Sequence, residues 1–203
     1  NLLREKLQDS KFPEHVKERL ETEIKRYESL SLMSSEIGMV KTYIDTVLSL
    51  PWNTYTEDNL DLEKAKEALD KTHYGLKDVK ERILEYLALN KLTKGVNNPI
   101  ICFVGPPGVG KTTFAKSIAN ATGKKYTKIS VGGVNDEAEI VGHRRAYIGS
   151  SPGKIIEGMR KAGSSNPVFV IDEIDKMTKD LRGDPASSLL EVLDKEQNKY
   201  FAD

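Results

Sequence analysis

Residues 105–112 form the stretch of this sequence whose types and spacing most clearly predict chemistry. They spell Gly-Pro-Pro-Gly-Val-Gly-Lys-Thr, which fits the pattern G-x-x-x-x-G-K-[ST], between an apolar run at 100–104 and a helix-like run from Thr113. Glycines let backbone N–H groups curl around phosphate oxygens, and the N-terminus of the next helix adds its positive dipole end. The pattern predicts a site for a nucleoside triphosphate.

Two side chains of this phosphate loop have separate tasks. The ammonium of Lys111 reaches the β- and γ-phosphates, and the hydroxyl of Thr112 coordinates Mg²⁺. We therefore predict that ATP and Mg²⁺ are the cofactors, with the nucleotide held by Gly105, Pro106, Pro107, Gly108, Val109, Gly110, Lys111, Thr112 and Thr113.

An acidic pair supplies the second half of the predicted site. The apolar residues 168–171 end in Asp172 and Glu173. Asp172 can hold Mg²⁺ through water, while Glu173 orients and polarises an attacking water. The alternative is an ordinary strand followed by an acidic turn. Beside a phosphate loop, the pair favours hydrolysis over transfer to a second substrate, with Lys111, Asp172 and Glu173 as catalytic residues. GTP is disfavoured, because the sequence contains no motif like Asn-Lys-x-Asp that would recognise guanine.

The elements that must position these residues fall into two sets. Apolar residues at helical spacing predict helices over 13–30, 34–49, 61–71 and 76–92. From residue 100 onward, strand-like runs at 100–104, 126–131 and 168–171 alternate with helical runs at 112–122 and 154–161. This alternation predicts an α/β fold with a parallel sheet covered on both faces. We expect a helical arm at 1–72 and a nucleotide-binding α/β domain at 73–203.

Composition limits the partners and the compartment. Among 203 residues, Lys plus Arg number 31 and Asp plus Glu number 31, so the net charge is zero and does not favour binding to nucleic acid or an anionic membrane. The basic triplet 143–145 is only weak support for nucleic-acid binding. The only cysteine, Cys102, is expected to be a small buried residue of the first strand and cannot form an internal disulfide. With no signal peptide, long apolar segment or initiator Met, we expect a soluble, intracellular piece of a longer protein.

Across about its whole length, the sequence resembles the Lon family of ATP-dependent AAA+ proteases. Three residues depart from the family's usual choices: Val141 replaces Arg, Ala146 replaces Thr and Lys195 replaces Pro. The resemblance rests on the phosphate loop and on Leu50-Pro-Trp52, His73-Tyr-Gly-Leu76, Gly132-Gly133, Asp136-Glu-Ala-Glu-Ile140, Gly142-His-Arg-Arg145, Tyr147-Ile-Gly149, Pro152-Gly-Lys154, Asp172-Glu-Ile-Asp-Lys-Met177, Arg182-Gly-Asp-Pro-Ala-Ser187, Leu190-Glu-Val-Leu-Asp194 and Glu196-Gln-Asn198.

The resemblance implies a machine that moves polypeptides. Lon proteins are hexameric rings in which ATP hydrolysis drives unfolded or damaged chains through a pore into a Ser-Lys protease chamber in the bacterial cytoplasm. The resemblance implies that Tyr147, Ile148 and Gly149 form a first pore loop and that Leu181 lies at the tip of a second. It also implies that Tyr74 and Gly75 line the adenine. The alternatives are a half-buried aromatic at 147, a solvent loop at 179–183 and a helix-breaking turn at 73–75.

The same resemblance implies that parts of the family's machinery are not in this sequence. In an AAA+ sheet, strand 4 lies between strands 1 and 3, and the sequence supplies only strands 1 to 3, so we expect a sheet incomplete at the C-terminus. Sensor 1, the arginine finger, the lid and the protease domain are also absent, so we expect little ATP hydrolysis from the 203 residues alone. An AAA+ unfoldase without its own protease and a nucleotide-switched scaffold remain alternatives.

Overall fold

The computed structural model describes residues 2–57, 61–93, 100–106, 108, 110–142, 151–177, 184–194 and 196–198. Nine α-helices, two strands and one 3₁₀ turn at Ile174–Lys176 occur in these ranges. In chain order the elements are α1 (Leu2–Leu7), α2 (Glu14–Ser29), α3 (Glu36–Ser49), α4 (Leu62–Thr72), α5 (Lys77–Leu92), α6 (Lys111–Thr122), β1 (Tyr126–Ser130), α7 (Ala138–Val141), α8 (Lys154–Ala162), β2 (Val168–Asp172) and α9 (Pro185–Leu193).

The chain divides into two compact units that we describe separately. Unit 1 comprises Asn1–Thr54, Lys128–Ser165 and Ile171–Asp203, and unit 2 comprises Tyr55–Thr127 and Asn166–Val170. The division into an arm at 1–72 and a nucleotide-binding domain at 73–203 stays a prediction. No helix among the described residues combines the length and apolar character needed to cross a membrane.

Unit 1 contains the first three helices, and they share a core. The spacing of apolar residues along α2 and α3 puts them on one face, as the sequence predicts, and the two helices pack together. The short helix α1, which the sequence analysis did not predict, adds two leucines to the same core. The buried cluster consists of Leu3, Leu7, Phe12, Val16, Leu20, Ile24, Val40 and Ile44.

Unit 2 is built from α4, α5 and α6, and it carries the phosphate loop. Asp61 caps α4, since its carboxylate accepts hydrogen bonds from the N–H groups of Glu63 and Lys64. Helix α4 packs against both α5 and α6. The helix that follows the phosphate loop is therefore held from its side. The shared core is Ala65, Leu69, Ile83, Leu87, Phe114 and Ile118.

The two strands form one parallel pair. At one end the N–H of Val168 donates to the carbonyl of Lys125, at 2.8 Å. At the other end the N–H of Val131 donates to the carbonyl of Asp172, at 3.0 Å. Both strands advance in the same direction between these bonds, so the pairing is parallel. The α/β class and the two strands predicted at 126–131 and 168–171 are confirmed.

The strand predicted at 100–104 is wrong for this structure. Among the described residues, no backbone hydrogen bond joins 100–104 to another strand. Only Phe103 packs into the core of unit 2, and Cys102, expected to be buried, is exposed. An apolar run becomes a strand only when a neighbour supplies ladder hydrogen bonds and covers its faces. Neither condition is met here.

Candidate functional site

The phosphate loop turns sharply into α6 in unit 2. Gly108 and Gly110 have φ angles of 86° and 85°, in the left-handed region that favours glycine. Gly110 is the N-cap residue of α6, so the helix begins directly at Lys111. The first-turn N–H groups of a helix lack intrahelical partners and form an anion-binding end. Pro107 and Val109, which the sequence predicts as nucleotide contacts, lie outside the described residues.

The side chain of Lys111 lies across the loop. Its ammonium donates a hydrogen bond to the carbonyl oxygen of Gly105, at 2.6 Å. Thr112 and Thr113 follow in the first turn of α6, with Thr112 half-buried and Thr113 exposed. A cation and a hydroxyl group thus stand at the helix end that already favours anions. This is the chemistry that phosphates and their Mg²⁺ require.

His73 lies behind the loop. Its side chain is buried, and its Nε2 lies 3.1 Å from the carbonyl oxygen of Gly110. The imidazole stacks on the ring of Phe114, with centroids 3.6 Å apart and planes 11° apart. A Cβ atom at position 110 would lie only 2.9 Å from Nε2. Gly110 is therefore required both by its φ angle and by the close approach of His73.

Tyr74 and Gly75 form the turn between α4 and α5. Gly75 and Leu76 both have left-handed φ angles, of 71° and 54°. Tyr74, adjacent to the buried His73, is fully exposed. The predicted contact of Tyr74 and Gly75 with an adenine ring stays a prediction. Their turn is nevertheless joined directly to the residue that contacts the phosphate loop.

The acidic pair lies at the end of β2 in unit 1. One oxygen of Asp172 accepts a hydrogen bond from the N–H of Glu173, at 2.9 Å. The other lies 3.9 Å from the ammonium of Lys128 on β1. Carboxylate and hydroxyl oxygens suit Mg²⁺, which usually takes one or two protein ligands and completes its shell with water and phosphate. Asp172 and Thr112 fit this donor set, and no cluster of three or more His, Cys, Asp or Glu side chains suited to a metal occurs in the described residues.

Glu173 is held in an unusual backbone conformation by polar contacts. Its φ angle of 62° places a non-glycine residue in the left-handed region. One carboxylate oxygen accepts a hydrogen bond from the hydroxyl of Ser130, at 3.0 Å, and the other lies 3.4 Å from the ammonium of Lys176. The Ser130 hydrogen bond, followed by that of Lys176, lowers the pKa of Glu173 below its usual value. Glu173 is therefore an anion at neutral pH.

The absence of a side chain at Gly132 leaves space for the Glu173 carboxylate. A Cβ atom at position 132 would lie 2.1 Å from Oε2 of Glu173. No sequence motif contains Ser130, whereas Gly132 and Lys176 occur only within motifs of the resemblance. Ser130 and Glu173 are 43 residues apart, and only the parallel pairing of β1 and β2 brings them together.

The predicted pore-loop residues Tyr147, Ile148, Gly149 and Leu181 lie outside the described residues. The flanks of both segments are described. Gly142 and Pro152 pair through an isolated antiparallel bridge, so the two ends of the segment that holds Tyr147 lie side by side. After the second segment, Asp184 caps α9, with Pro185 in its first turn. The N–H of Asp184 donates to a carboxylate oxygen of Glu137, at 3.1 Å.

The two halves of the predicted site belong to different units. The phosphate loop and His73 are in unit 2, whereas Asp172, Glu173 and Ser130 are in unit 1. Each half has its own internal contacts, described above. That both act on one nucleotide stays a prediction, as do the individual roles assigned to these residues.

Comparison with known proteins supports the nucleotide site and the wider resemblance. The model of the "ATPase family associated with various cellular activities (AAA)" matches residues 101–202. Lon protease 1 of Bacillus subtilis (strain 168) is 56% identical over 201 residues, which is 99% of this chain and 26% of that protein.

Two further relatives give the same picture. The Lon protease of Clostridioides difficile (strain 630) is 58% identical over 200 residues, covering 98% of this chain and 25% of that protein. The Lon protease of Dictyoglomus thermophilum is 56% identical over 203 residues, which is 100% of this chain and 26% of that protein. The chain thus spans about a quarter of the length of the curated relatives it matches. The predicted resemblance to Lon proteases is confirmed.

Proposed function

The chain belongs to the AAA family of ATPases, and on that premise we propose that residues 105–113 bind ATP while Asp172 and Glu173 serve its hydrolysis. The observation that carries this proposal is the geometry of the loop. Two left-handed glycines lead directly into the N-terminus of α6, with Lys111 across the loop. Backbone donors, a helix dipole and a cation are thus gathered at one place, which suits a polyphosphate.

Each residue has a distinct role in the proposed reaction. The backbone N–H groups and Lys111 bind the phosphate oxygens and stabilise the charge that develops on them. Thr112 and Asp172 would hold Mg²⁺, which would neutralise charge on the phosphates. Glu173 accepts a hydrogen bond from the attacking water and orients it. Ser130 and Lys176 keep the Glu173 carboxylate ionised and in place.

We further propose that this ATPase drives a Lon-like protease. The support is identity of 53% to 58% with Lon proteases over nearly the whole chain. In this proposal a homohexameric ring in the bacterial cytoplasm unfolds misfolded, abnormal or short-lived regulatory proteins and moves them into a Ser-Lys protease chamber. Tyr147, Ile148 and Leu181 contact the moving polypeptide, because exposed aromatic and apolar side chains bind unfolded chains of any sequence.

The proposed polypeptide contact is tested by Tyr147→Ala in the full-length protein. We expect degradation of a folded substrate to fall several-fold while basal ATP hydrolysis is retained, because the side chain touches the substrate and not the nucleotide. Tyr55→Ala, at an exposed tyrosine outside the predicted pore loops, is the control. Unchanged degradation by Tyr147→Ala would show that Tyr147 does not grip the substrate.

An AAA+ unfoldase without its own protease is the second candidate, since the family model that matches the chain describes an ATPase and not a protease. A fluorescent folded substrate distinguishes the two. ATP-dependent loss of fluorescence with release of small peptides supports the protease, whereas loss of fluorescence with the substrate chain intact supports the unfoldase. If ATP is bound but never hydrolysed, a nucleotide-switched scaffold is the better account.

A further inference from the structure

His73 makes contacts that the proposed ATPase mechanism does not use. It is 7% exposed, and its ring is fixed on both edges and on one face. Nε2 contacts the carbonyl of Gly110, Nδ1 lies 2.8 Å from the hydroxyl of Thr72, and Phe114 stacks on the ring. A side chain held at so many points occupies one position. That position is directly behind the phosphate loop.

The carbonyl of Gly110 has two donors. It accepts the first hydrogen bond of α6 from the N–H of Phe114, at 3.1 Å, and it lies 3.1 Å from Nε2 of His73. A carbonyl oxygen can only accept, so Nε2 carries the proton in this contact. Two donors from different directions fix the orientation of the carbonyl more tightly than the helix alone.

The orientation of this carbonyl determines that of a phosphate-binding donor. The C=O of Gly110 and the N–H of Lys111 belong to one planar peptide, which is trans, so they point in opposite directions. The carbonyl points along α6 toward the N–H of Phe114 and Nε2 of His73, so the N–H of Lys111 points the opposite way, out of the N-terminal end of the helix. That N–H belongs to the first turn of the helix, where phosphate oxygens are bound.

A chain of hydroxyl groups supports the ring from the other edge. Nδ1 lies 2.8 Å from the hydroxyl of Thr72. The Thr72 oxygen lies 2.9 Å from the hydroxyl of Ser117 on α6. The Thr72 hydroxyl also donates to the carbonyl of Ala68, at 2.9 Å. Ser117, Thr72 and His73 thus connect the side of α6 to its N-terminus.

The backbone of His73 is anchored as well. Lys80, itself nearly buried, donates to the carbonyl of His73 and to Asp70 at 3.1 Å. The next two residues are Tyr74 and Gly75, which form the turn predicted to line the adenine. His73 therefore connects the turn on the base side to the loop on the phosphate side.

We propose that His73 is a positioning residue, which sets the Gly110–Lys111 peptide for the phosphates beyond the α-phosphate of the nucleotide. The inference rests on the proposed binding of ATP by residues 105–113. It predicts that loss of the His73 contact weakens the binding of ligands that reach this peptide and leaves the binding of shorter ligands unchanged. ADP and AMP are such a pair.

The test measures displacement of a fluorescent, ribose-labelled ADP from the full-length protein by ADP and by AMP. We expect His73→Leu to weaken ADP about tenfold, the usual cost of one lost hydrogen bond at a bound anion, and AMP less than about twofold. His73→Gln should bind ADP within about threefold of the wild-type affinity, because the amide N–H of glutamine can replace the N–H at Nε2. His15→Leu, at an exposed histidine of α2, is the matched control.

The outcomes separate this inference from the proposed function. Wild-type protein that fails to bind ADP overturns the proposed function, and the inference with it. Binding by the wild type together with an equal loss of ADP and AMP in His73→Leu would show a merely structural role and overturn the inference alone. The same holds if His73→Gln binds ADP as weakly as His73→Leu. Should His73→Leu fail to fold, Thr72→Val decides, with about threefold weaker ADP expected and unchanged ADP affinity contradicting the inference.

Discussion

The two halves of the candidate site are held in different ways. Behind the phosphate loop, the contacts of the His73 ring are buried and made with neutral groups: Phe114 is 3% exposed, His73 is 7% exposed, and hydrogen bonds to the ring involve a hydroxyl and a carbonyl. Around the acidic pair, contacts are partly exposed and ionic. The side chains of Lys176 and Glu173 are 63% and 41% exposed.

Because of this difference, we expect nucleotide binding and ATP hydrolysis to respond to different changes in packing, salt and pH. Buried neutral contacts respond to packing and to lost hydrogen bonds, but little to salt. Partly exposed contacts to a carboxylate respond to pH and ionic strength. We therefore expect substitutions near the loop to change nucleotide affinity and substitutions near Glu173 to change the rate of hydrolysis.

Lys111→Ala removes the cation of the loop. ATP affinity should fall about 100-fold, since a hydrogen bond to a charged group is lost where several phosphate charges converge. Lys116→Ala, at an exposed lysine of the same helix, should leave affinity within about twofold. Isothermal titration calorimetry on both variants makes the comparison, and equal affinities for the two would remove Lys111 from the binding half.

Gly132→Ala tests the room around the Glu173 carboxylate. The added Cβ would lie 2.1 Å from Oε2, so the carboxylate must move. We expect single-turnover hydrolysis to fall about tenfold with ATP affinity unchanged, because a misplaced base loses its alignment with water. Gly38→Ala makes the same change in α3, where the added Cβ would meet nothing within 4 Å, and should have no effect. A loss of affinity in Gly132→Ala would break the separation.

Ser130→Ala tests the pH dependence of the hydrolytic half. The Ser130 hydrogen bond is the main cause that lowers the pKa of Glu173, so its loss should raise that pKa toward the ordinary value. The acidic limb of the profile of kcat/KM against pH should then move to higher pH, and the rate at neutral pH should fall about threefold. An acidic limb that does not move would show that Glu173 does not control it.

The sign for stability follows from the same shift. A carboxyl group whose pKa is lowered by folding stabilises the folded state above its unfolded pKa, roughly 4.3. That contribution disappears as the pH falls through the lower folded value. Ser130→Ala should therefore lose stability relative to the wild type at neutral pH and converge with it in strong acid, as thermal melting across pH would show.

Lys176→Met should have the smallest effect. The Lys176 ammonium lies 3.4 Å from Glu173 and both side chains are well exposed, so the contact contributes little and is screened by salt. We expect hydrolysis to fall less than about twofold, with the difference from the wild type vanishing at high ionic strength. A tenfold loss that persists in salt would mean that this lysine has another task.

Two apolar runs show what could be predicted from the sequence and what could not. Both 100–104 and 168–171 are apolar and lead into a site motif, and the sequence predicts a strand for each. The second pairs with β1 and is a strand, whereas the first has no paired neighbour among the described residues. Helices depend on contacts within about four residues, so local spacing predicts α2 to α6 and α8. A strand depends on a partner that local pattern does not name.

The site follows the same rule. The loop, Lys111, Asp172 and Glu173 can be predicted because their chemistry depends on local spacing. His73 contacts Gly110 across 37 residues, and Ser130 contacts Glu173 across 43. No spacing pattern links such pairs, since only tertiary packing brings them together. The residues that hold the site in place are therefore the ones that needed the structure.

Glu173→Gln tests the central claim most directly. ATP affinity and single-turnover hydrolysis should be measured on one preparation of the full-length variant. Glutamine keeps the size of the side chain but cannot polarise water as an anion, so affinity should stay within about twofold while hydrolysis falls about 100-fold or more. Loss of ATP binding, or hydrolysis at the wild-type rate, would contradict the division of the site into a binding half and a hydrolytic half.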